Sequence, residues 1–349
     1  MTCVWFTMGL SNTEDAIRLL REHPDTSRYR IVASHANGLA ARRLPADLIL
    51  EEPIRKKDPA AYADWVIGQA LREGVDLVVA QGQALALAGE EARFRAEGIT
   101  LLVPASRDIL DLLDDKMAFV RDLASAGVPT HAALPFRTLE EFDAALGEIR
   151  QDPRGRHGLC AKPVSGIYAA GFRRLREDDH ALARILGQCP DGDELTGDGL
   201  FDIDLGAYRD ALARSPQDRE MMLMSYLPGE ERSVDFTARD GRLVAAVARV
   251  KRGSFQDLET EGPAIDMARV LAARYRLNGQ CNLQTRNCDG AAVPLEINPR
   301  MSGAMALSCL AGPNLPALAV LGALGHEPVS VPALAGGKAW LRQVPTRLD

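Results

Sequence analysis

Glu296-Ile297-Asn298-Pro299-Arg300 is the stretch on which the reading of this chain turns. Side chains on a strand alternate between faces, so Glu296 and Asn298 stand on one face and offer oxygen toward one point. Hard oxygen donors suit Mg²⁺, which commonly takes one or two ligands from protein and leaves the rest to phosphates and water. Pro299 fixes the turn that follows. Arg300 places a permanent cation beside those donors, suited to a phosphoryl group in transfer. Short motifs also match by accident, and the same residues fit a buried glutamate paired with arginine at a strand end. Just upstream, Asp289-Gly290 is a hairpin signal that joins a strand over 280–286 to one over 292–297. Asn282 and Gln284 alternate on the first of these, so Gln284 can add an oxygen donor to the same ion. Its alternative is a solvent-facing strand amide.

Working outward, Asp240-Gly241 joins strand 233–238 to strand 243–250, and 264–276 reads as a helix between the hairpins. Before them, Met222-Leu223-Met224-Ser225-Tyr226-Leu227 is an apolar strand that leaves through Pro228-Gly229 into Glu230-Glu231. Such an edge can hold a nucleobase by backbone hydrogen bonds while a carboxylate takes ribose hydroxyls, or it is a core strand with an exposed turn. Ala161-Lys162-Pro163-Val164-Ser165-Gly166, followed by Gly171, is a strand end opening into a loop with a lysine at its mouth. Backbone N–H groups freed by glycine can close on phosphate oxygens. No Gly-Lys-Ser or Gly-Lys-Thr opens a helix there, so it is not a Walker motif, and a plain loop fits equally. Lys116 falls in the first turn of a helix, where the dipole disfavours a cation by about 0.3–1 kcal/mol. A bound anion would offset that cost; a solvated lysine would simply bear it. Arg249, Lys251 and Arg252 read as a small basic cluster, either a solvated face or an anion clamp.

Residues 1–105 alternate strands (4–7, 30–34, 48–50, 75–80, 99–103) with helices, the pattern of a small doubly wound parallel sheet. Ser11-Asn12-Thr13-Glu14 has the capping-box spacing, and Asp58-Pro59 with Gly74 brackets a second helix. There is no G-x-G-x-x-G, which argues against a dinucleotide site. Asp114-Asp115 open a helix running through Met117, Val120 and Leu123 to Gly127. From about 130 to 225 short strands and helices alternate, with an acidic, Gly-rich stretch at 191–199 that reads as a mobile loop. These shifts divide the chain at 1–105, 106–225, 226–330 and 331–349.

A chain of 349 residues, 46% hydrophobic and 26% charged, has the composition of a folded globular protein with more than one core. Its net charge of -7 argues against a general nucleic-acid or anionic-membrane surface. The six cysteines include no C-x-x-C pair, so free thiols in a reducing cytoplasm are expected. The apolar run from Cys3 to Met8 is too short for a secretory signal or a membrane span.

Taken in order, Asp115-Lys116, Lys162-Pro163 with its Gly-bearing loop, Pro228-Gly229-Glu230-Glu231 with Ser233-Val234-Asp235, Asn282-x-Gln284 and Glu296-x-Asn298-Pro299-Arg300 resemble the ATP-grasp superfamily. More narrowly, they resemble its carbamoyl-phosphate-synthetase-like branch of carboxylate–amine ligases. The resemblance covers roughly residues 110–320, and the domain before it resembles the family's preceding domain. It implies an α/β chain of α+β ATP-grasp fold, in which a doubly wound parallel N-terminal domain precedes two α+β subdomains that clasp ATP between antiparallel sheets. Lys116 and Lys162 would contact ATP phosphates, with Lys162 also near adenine, and Ser165, Gly166 and Gly171 would belong to a loop over the triphosphate. Met224, Ser225, Tyr226 and Leu227 would form the adenine hinge, and Glu231 would bind ribose. Gln284, Glu296 and Asn298 would hold Mg²⁺, two ions with Mn²⁺ as a substitute, and Arg300 would act on the transferred phosphoryl. Arg249 and Lys251 are the candidates for gripping the substrate carboxylate or acyl phosphate, and Ser302-Gly303 suits a substrate-facing loop.

Two departures stand out: Met224 and Ser225 replace the acidic or amide residues of many relatives, and Ile167, Tyr168, Ala169 and Ala170 make the loop poor in glycine. The implied reaction phosphorylates a carboxylate to an acyl phosphate and couples it to an amine, releasing ADP and phosphate. Small-molecule carboxylates and amines are then the partners, without nucleic acid or membrane, and a homodimer is the default expectation. The alternatives are a bicarbonate-activating carboxylase of purine-pathway type and a nucleotide-binding regulatory protein without turnover. Retention of Gln284, Glu296, Asn298 and Arg300 argues against the latter.

Overall fold

The computed structural model describes residues 1–9, 12–53, 58–166, 171–177, 201–215, 218–327 and 333–340. Expectations for Ser11, for loop residues 167–170 and for the acidic stretch 191–199 lie outside the described residues. The chain forms two compact units: Met1–Asp111 with Glu231–Thr285 and Ile297–Asp349, and Leu112–Glu230 with Arg286–Glu296.

The first unit opens with β1 (Cys3–Phe6), β2 (Arg30–His35), β3 (Leu48–Glu51), β4 (Leu77–Val79) and β5 (Thr100–Leu102). They lie in the order β3-β2-β1-β4-β5 with every neighbouring pair parallel, the doubly wound arrangement that the alternating pattern implies. The helix Pro59–Glu73 begins where Asp58 accepts a bond from the Ala61 N–H, and it ends on Gly74 at φ +62°. The first helix is Thr13–Glu22. Its N-cap is Asn12, whose side chain makes no cap bond. The Asn12 amide donates to the carbonyls of Met301 (2.6 Å) and Ser302 (3.1 Å).

A third sheet holds β11 (Glu231–Arg239), β12 (Arg242–Arg252), β13 (Phe255–Glu259), β14 (Gly279–Cys288), β15 (Ala291–Asn298) and β16 (Gly337–Ala339), in the order β15-β14-β11-β12-β13-β16. Both expected hairpin turns have positive φ at their two central residues, Asp240 and Gly241 (50° and 79°) and Asp289 and Gly290 (51° and 81°), as a type I′ turn requires. Strands β13 and β16 have no counterpart in the sequence reading. The core of this unit joins Val4, Phe6, Ile31 and Leu77 of the first sheet to Met301, Met305, Leu315, Leu318 and Val320, so late segments of the chain close the N-terminal sheet.

The second unit is built on β6 (Ala133–Phe136), β7 (Leu159–Pro163), β8 (Arg173–Arg176), β9 (Asp202–Asp204) and β10 (Met221–Ser225), in the order β6-β10-β7-β8-β9. All neighbours are antiparallel except β8 and β9. Strand period sorts β10 cleanly. Met221 and Leu223 enter a core with Phe136, Phe142 and Leu212, while Met222 and Met224 enter a separate cluster with Met117, Cys160, Val164 and Tyr226. The helix expected to open at Asp114-Asp115 is Lys116–Ser125, with Asp115 as its cap; Asp114 instead ends a separate helix, Arg107–Asp114, which the sequence reading missed. No described helix is long and apolar enough to cross a membrane.

Candidate functional site

In the second unit, the Asp115 carboxylate accepts from the N–H groups of Met117 (2.8 Å) and Ala118 (2.9 Å), which fixes the start of the helix and the placement of Lys116. Lys116 is 8% exposed. Its Nζ donates to the Gly166 carbonyl at 2.9 Å and lies 3.6 Å from Glu296 Oε2, while its backbone N–H donates to the Val164 carbonyl. A cation in the first turn of a helix therefore has a carboxylate and a carbonyl beside it, which offsets the dipole cost. The structure thus brings together Lys116, Gly166 and Glu296, residues widely separated in the chain. Gly166 and Gly171 sit at φ +127° and +84°, and a Cβ on Gly171 would press on the ring of Pro163.

Lys162 lies opposite Met222 in the β7–β10 pairing, on the face that carries Cys160 and Met224. This face is an apolar floor bordered by a lysine, with Phe172 and Leu295 packed against it. Along the hinge, Ser225 is fully buried and its Oγ accepts from the Ala132 N–H at 3.1 Å. The Tyr226 N–H donates to the Gly158 carbonyl at 2.8 Å, and the Leu227 carbonyl accepts from Arg286 at 3.0 Å. Tyr226 also carries two guanidinium groups over its ring, Arg174 at 4.1 Å and Arg286 at 5.3 Å from the centroid. The sequence reading missed both arginines. Arg286 was findable, because period two on β14 places it after Asn282 and Gln284 on the same face; Arg174 gave no comparable signal.

In the first unit, Arg300 is held on its turn by donating to Asn298 Oδ1 (3.1 Å) and to the Met301 carbonyl (3.4 Å). Arg249, Lys251 and Arg252 do not form one cluster, which corrects the expectation drawn from their spacing. Arg249 is 4% exposed and donates to Asp235 (2.8 Å), Ser308 (3.0 Å), Gln256 (2.8 Å), Ser233 (3.1 Å) and Ser302 (3.0 Å). Lys251 is exposed, and Arg252 faces Asp257 at 2.8 Å. Alternation turns 249 and 252 to opposite faces, and the buried Asp235 carboxylate draws only the former inward. Asp235 also accepts from Asn282 (2.8 Å) and Ser308 (2.6 Å), so Asn282 is a scaffold amide. The segment after Arg300 is thereby tied down twice, by Arg249 at the Ser302 hydroxyl and by Asn12 at the carbonyls of Met301 and Ser302. Glu231 is half-buried at the start of β11.

Gln284 and Asn298 belong to the first unit and Glu296 to the second. One carboxylate and two amide oxygens are a hard-oxygen set that fits Mg²⁺ and suits zinc poorly. Another group with metal-ligand chemistry, His157, Cys288 and Asp289, fits a metal less well. The Arg156 guanidinium already pairs with Asp289, and burial pushes the Cys288 thiol up. Beside Lys162, His131 is completely buried, and neither ring nitrogen has a hydrogen-bond partner among the described residues. Burial, with Lys162 and Arg154 nearby, pushes its pKa down to about 3.

Residues 217–339 match the model of a family described as ATP-grasp in the biosynthetic pathway with Ter operon. No curated protein sequence matches the chain. Among solved structures, the chain is similar to an L-amino acid ligase from Bacillus licheniformis, with 13% identity over 93% of this chain and 74% of that one at a TM-score of 0.61. It is also similar to N5-carboxyaminoimidazole synthetase from Staphylococcus aureus complexed with ADP, with 12% identity over 97% and 81% of the two chains at 0.62. A third is the biotin carboxylase domain of the Hydrogenobacter thermophilus 2-oxoglutarate carboxylase with MgADP and bicarbonate, with 16% identity over 95% and 71% at 0.61. The family match covers residues 217–339, and nearly the whole chain shares its fold with these three structures.

Proposed function

We propose that the chain is an ATP-dependent ligase that phosphorylates a small carboxylate to an acyl phosphate and passes the acyl group to an amine, releasing ADP and phosphate. The observation that carries this reading is the approach of Lys116 to Glu296 and the Gly166 carbonyl, which groups a cation, a metal-type carboxylate and the phosphate-loop backbone. Two of the similar structures hold ADP, one of them with magnesium, and one of the three is a ligase by name. Gln284, Glu296 and Asn298 would hold Mg²⁺, which when bound offsets the charge of the phosphate oxygens. Lys116 and Lys162 grip the phosphates, and the apolar face of Met222 and Met224 receives adenine beside the hinge backbone. The substrate carboxylate attacks the terminal phosphorus, the bond to the ADP oxygen breaks, and Arg300 stabilises charge on the equatorial oxygens. The amine then attacks the acyl carbon and expels phosphate. Exposed Lys251 is the residue proposed to reach the substrate carboxylate, and Arg249 acts from behind by holding Ser302.

ADP release from pooled carboxylates crossed with pooled amines tests the reading. Glu296→Gln keeps the shape of the side chain and removes its charge, and it is expected to lower kcat at least 100-fold while the variant still folds. Undiminished turnover in that variant would remove Glu296 from the site. The carboxylating neighbours favour one second reading, a bicarbonate-activating enzyme; ADP release stimulated by bicarbonate without any organic acid would select it. Tight ATP binding with no ADP release across the whole screen would leave a regulatory nucleotide-binding protein instead.

A further inference from the structure

His131 stands two residues before β6, and alternation along that segment places its side chain. Ala132 enters the core that holds Phe136 and Leu223, while Ala133 packs on the opposite face, against the cluster of Cys160, Met222, Met224 and Tyr226. The pairing with β10 runs on past the strand end, because the Ser225 N–H donates to the Ala132 carbonyl at 2.9 Å and the Ala132 N–H donates to Ser225 Oγ at 3.1 Å. Period two therefore returns His131 to the face of Ala133, level with Tyr226 at the end of β10. Lys162 borders the same face from the other side of β10, opposite Met222, and its charge acts on the His131 ring. We propose that His131 selects the base: one ring nitrogen accepts a hydrogen bond from the exocyclic amine of adenine. The proposal rests on the ligase reading, because it takes the face of Met222 and Met224 as the base site.

Three observations carry it. His131 is 1% exposed and has no partner on either nitrogen among the described residues, a costly state that calls for a ligand or a function. Burial, with Lys162 and Arg154 nearby, keeps the ring neutral down to about pH 3, and a neutral imidazole always leaves one nitrogen bare as an acceptor. The neighbouring side chains offer an amine little. Lys162 only donates, the thioethers of Met222 and Met224 are weak acceptors, and Ser225 Oγ already accepts from Ala132. Adenine matches this division, with an amine that needs an acceptor and ring nitrogens that suit a lysine. Phe172 and Leu295, which cover the face, are only partly buried, and the flat base enters between them and the methionines.

Equilibrium binding to the full chain with Mg²⁺ tests the proposal, using ADP and purine riboside diphosphate, which differ only in the amine. ADP is expected to bind the parent at least tenfold more tightly. His131→Leu keeps the bulk of the side chain and removes the acceptor. It should weaken ADP about tenfold, the scale of one buried hydrogen bond, and leave purine riboside diphosphate within about twofold. The same variant should melt later than the parent, and a gain in stability beside a loss of ADP affinity excludes a folding defect. Should it melt early instead, His131→Val removes the same ring and is read by the same ratio. Equal binding of the two diphosphates by the parent, or a ratio unmoved by loss of the imidazole, would overturn the proposal and leave the ligase reading standing. Failure of ADP to bind the parent at all would sink both.

Discussion

Three buried polar side chains illustrate how the same physics serves opposite ends. Arg249 and Asp235 are 4% and 1% exposed, yet each is surrounded by hydroxyl and amide groups, so their charges are compensated and Ser302 is held in place. His131 is equally buried and has no such company. A buried imidazole without partners costs stability, so His131→Leu, of similar volume, is expected to raise stability at pH 7 by about 1–3 kcal/mol. The pH dependence follows from the depressed pKa. Below pH 6.5 the unfolded chain takes up a proton that the folded chain refuses until about pH 3, so acidification through that window favours unfolding. Urea unfolding at pH 7 and pH 5 should show the parent losing about 2 kcal/mol more than His131→Leu between the two. Equal losses would mean that the imidazole is hydrated or paired in solution.

At the scale of elements, close approach of backbones decides what a glycine is for. The Pro228-Gly229 turn is stitched to the end of β14, with the Gly229 N–H donating to the Asn287 carbonyl (3.0 Å) and the Asn287 N–H donating to Glu230 (3.1 Å). A Cβ on Gly229 would fall inside contact distance of that Asn287 carbonyl. Gly229→Ala is therefore expected to cost about 1–3 kcal/mol in thermal unfolding, whereas Gly147→Ala, on an open surface of the helix Leu139–Ile149, should add about 0.5–1 kcal/mol. Equal effects at the two sites would refute the close approach. The hairpins were legible because Asp-Gly pairs carry their own φ requirement, and the Pro59–Glu73 helix because its cap and its αL glycine are both local. Signals that need a distant partner were not legible. Nothing near Asn12 announces that its amide will donate to Met301, and nothing near Arg249 announces Asp235, whose register with β12 is set by the whole sheet. For the candidate site, sequence named Lys116 and Glu296 singly, but their 3.6 Å approach is tertiary information.

For the whole molecule, the consequential feature is that the N-terminal sheet is finished by the far end of the chain. Met301, Met305, Leu315, Leu318 and Val320 bury themselves in the core with Val4, Phe6, Ile31 and Leu77. At about 1.5–3 kcal/mol for each such side chain, their removal would withdraw roughly 8–15 kcal/mol. That is comparable to the entire net stability of a domain, about 5–15 kcal/mol. Residues 1–111 contain every strand of the first sheet and the helices Thr13–Glu22 and Pro59–Glu73, so local signals alone would have them fold unaided. The packing says otherwise. Expressed alone, 1–111 should lack a cooperative melt, bind an apolar dye, and lose the near-ultraviolet signal of Trp5 against Trp65, whose rings meet edge-on at 5.5 Å in the folded chain. Supplying residues 231–340 as a second polypeptide should restore both the melt and the tryptophan signal, because it returns the missing half of that core. A sharp transition from the fragment by itself would show that the parallel sheet closes its own apolar face, and the late segments would then be a later addition to a finished domain.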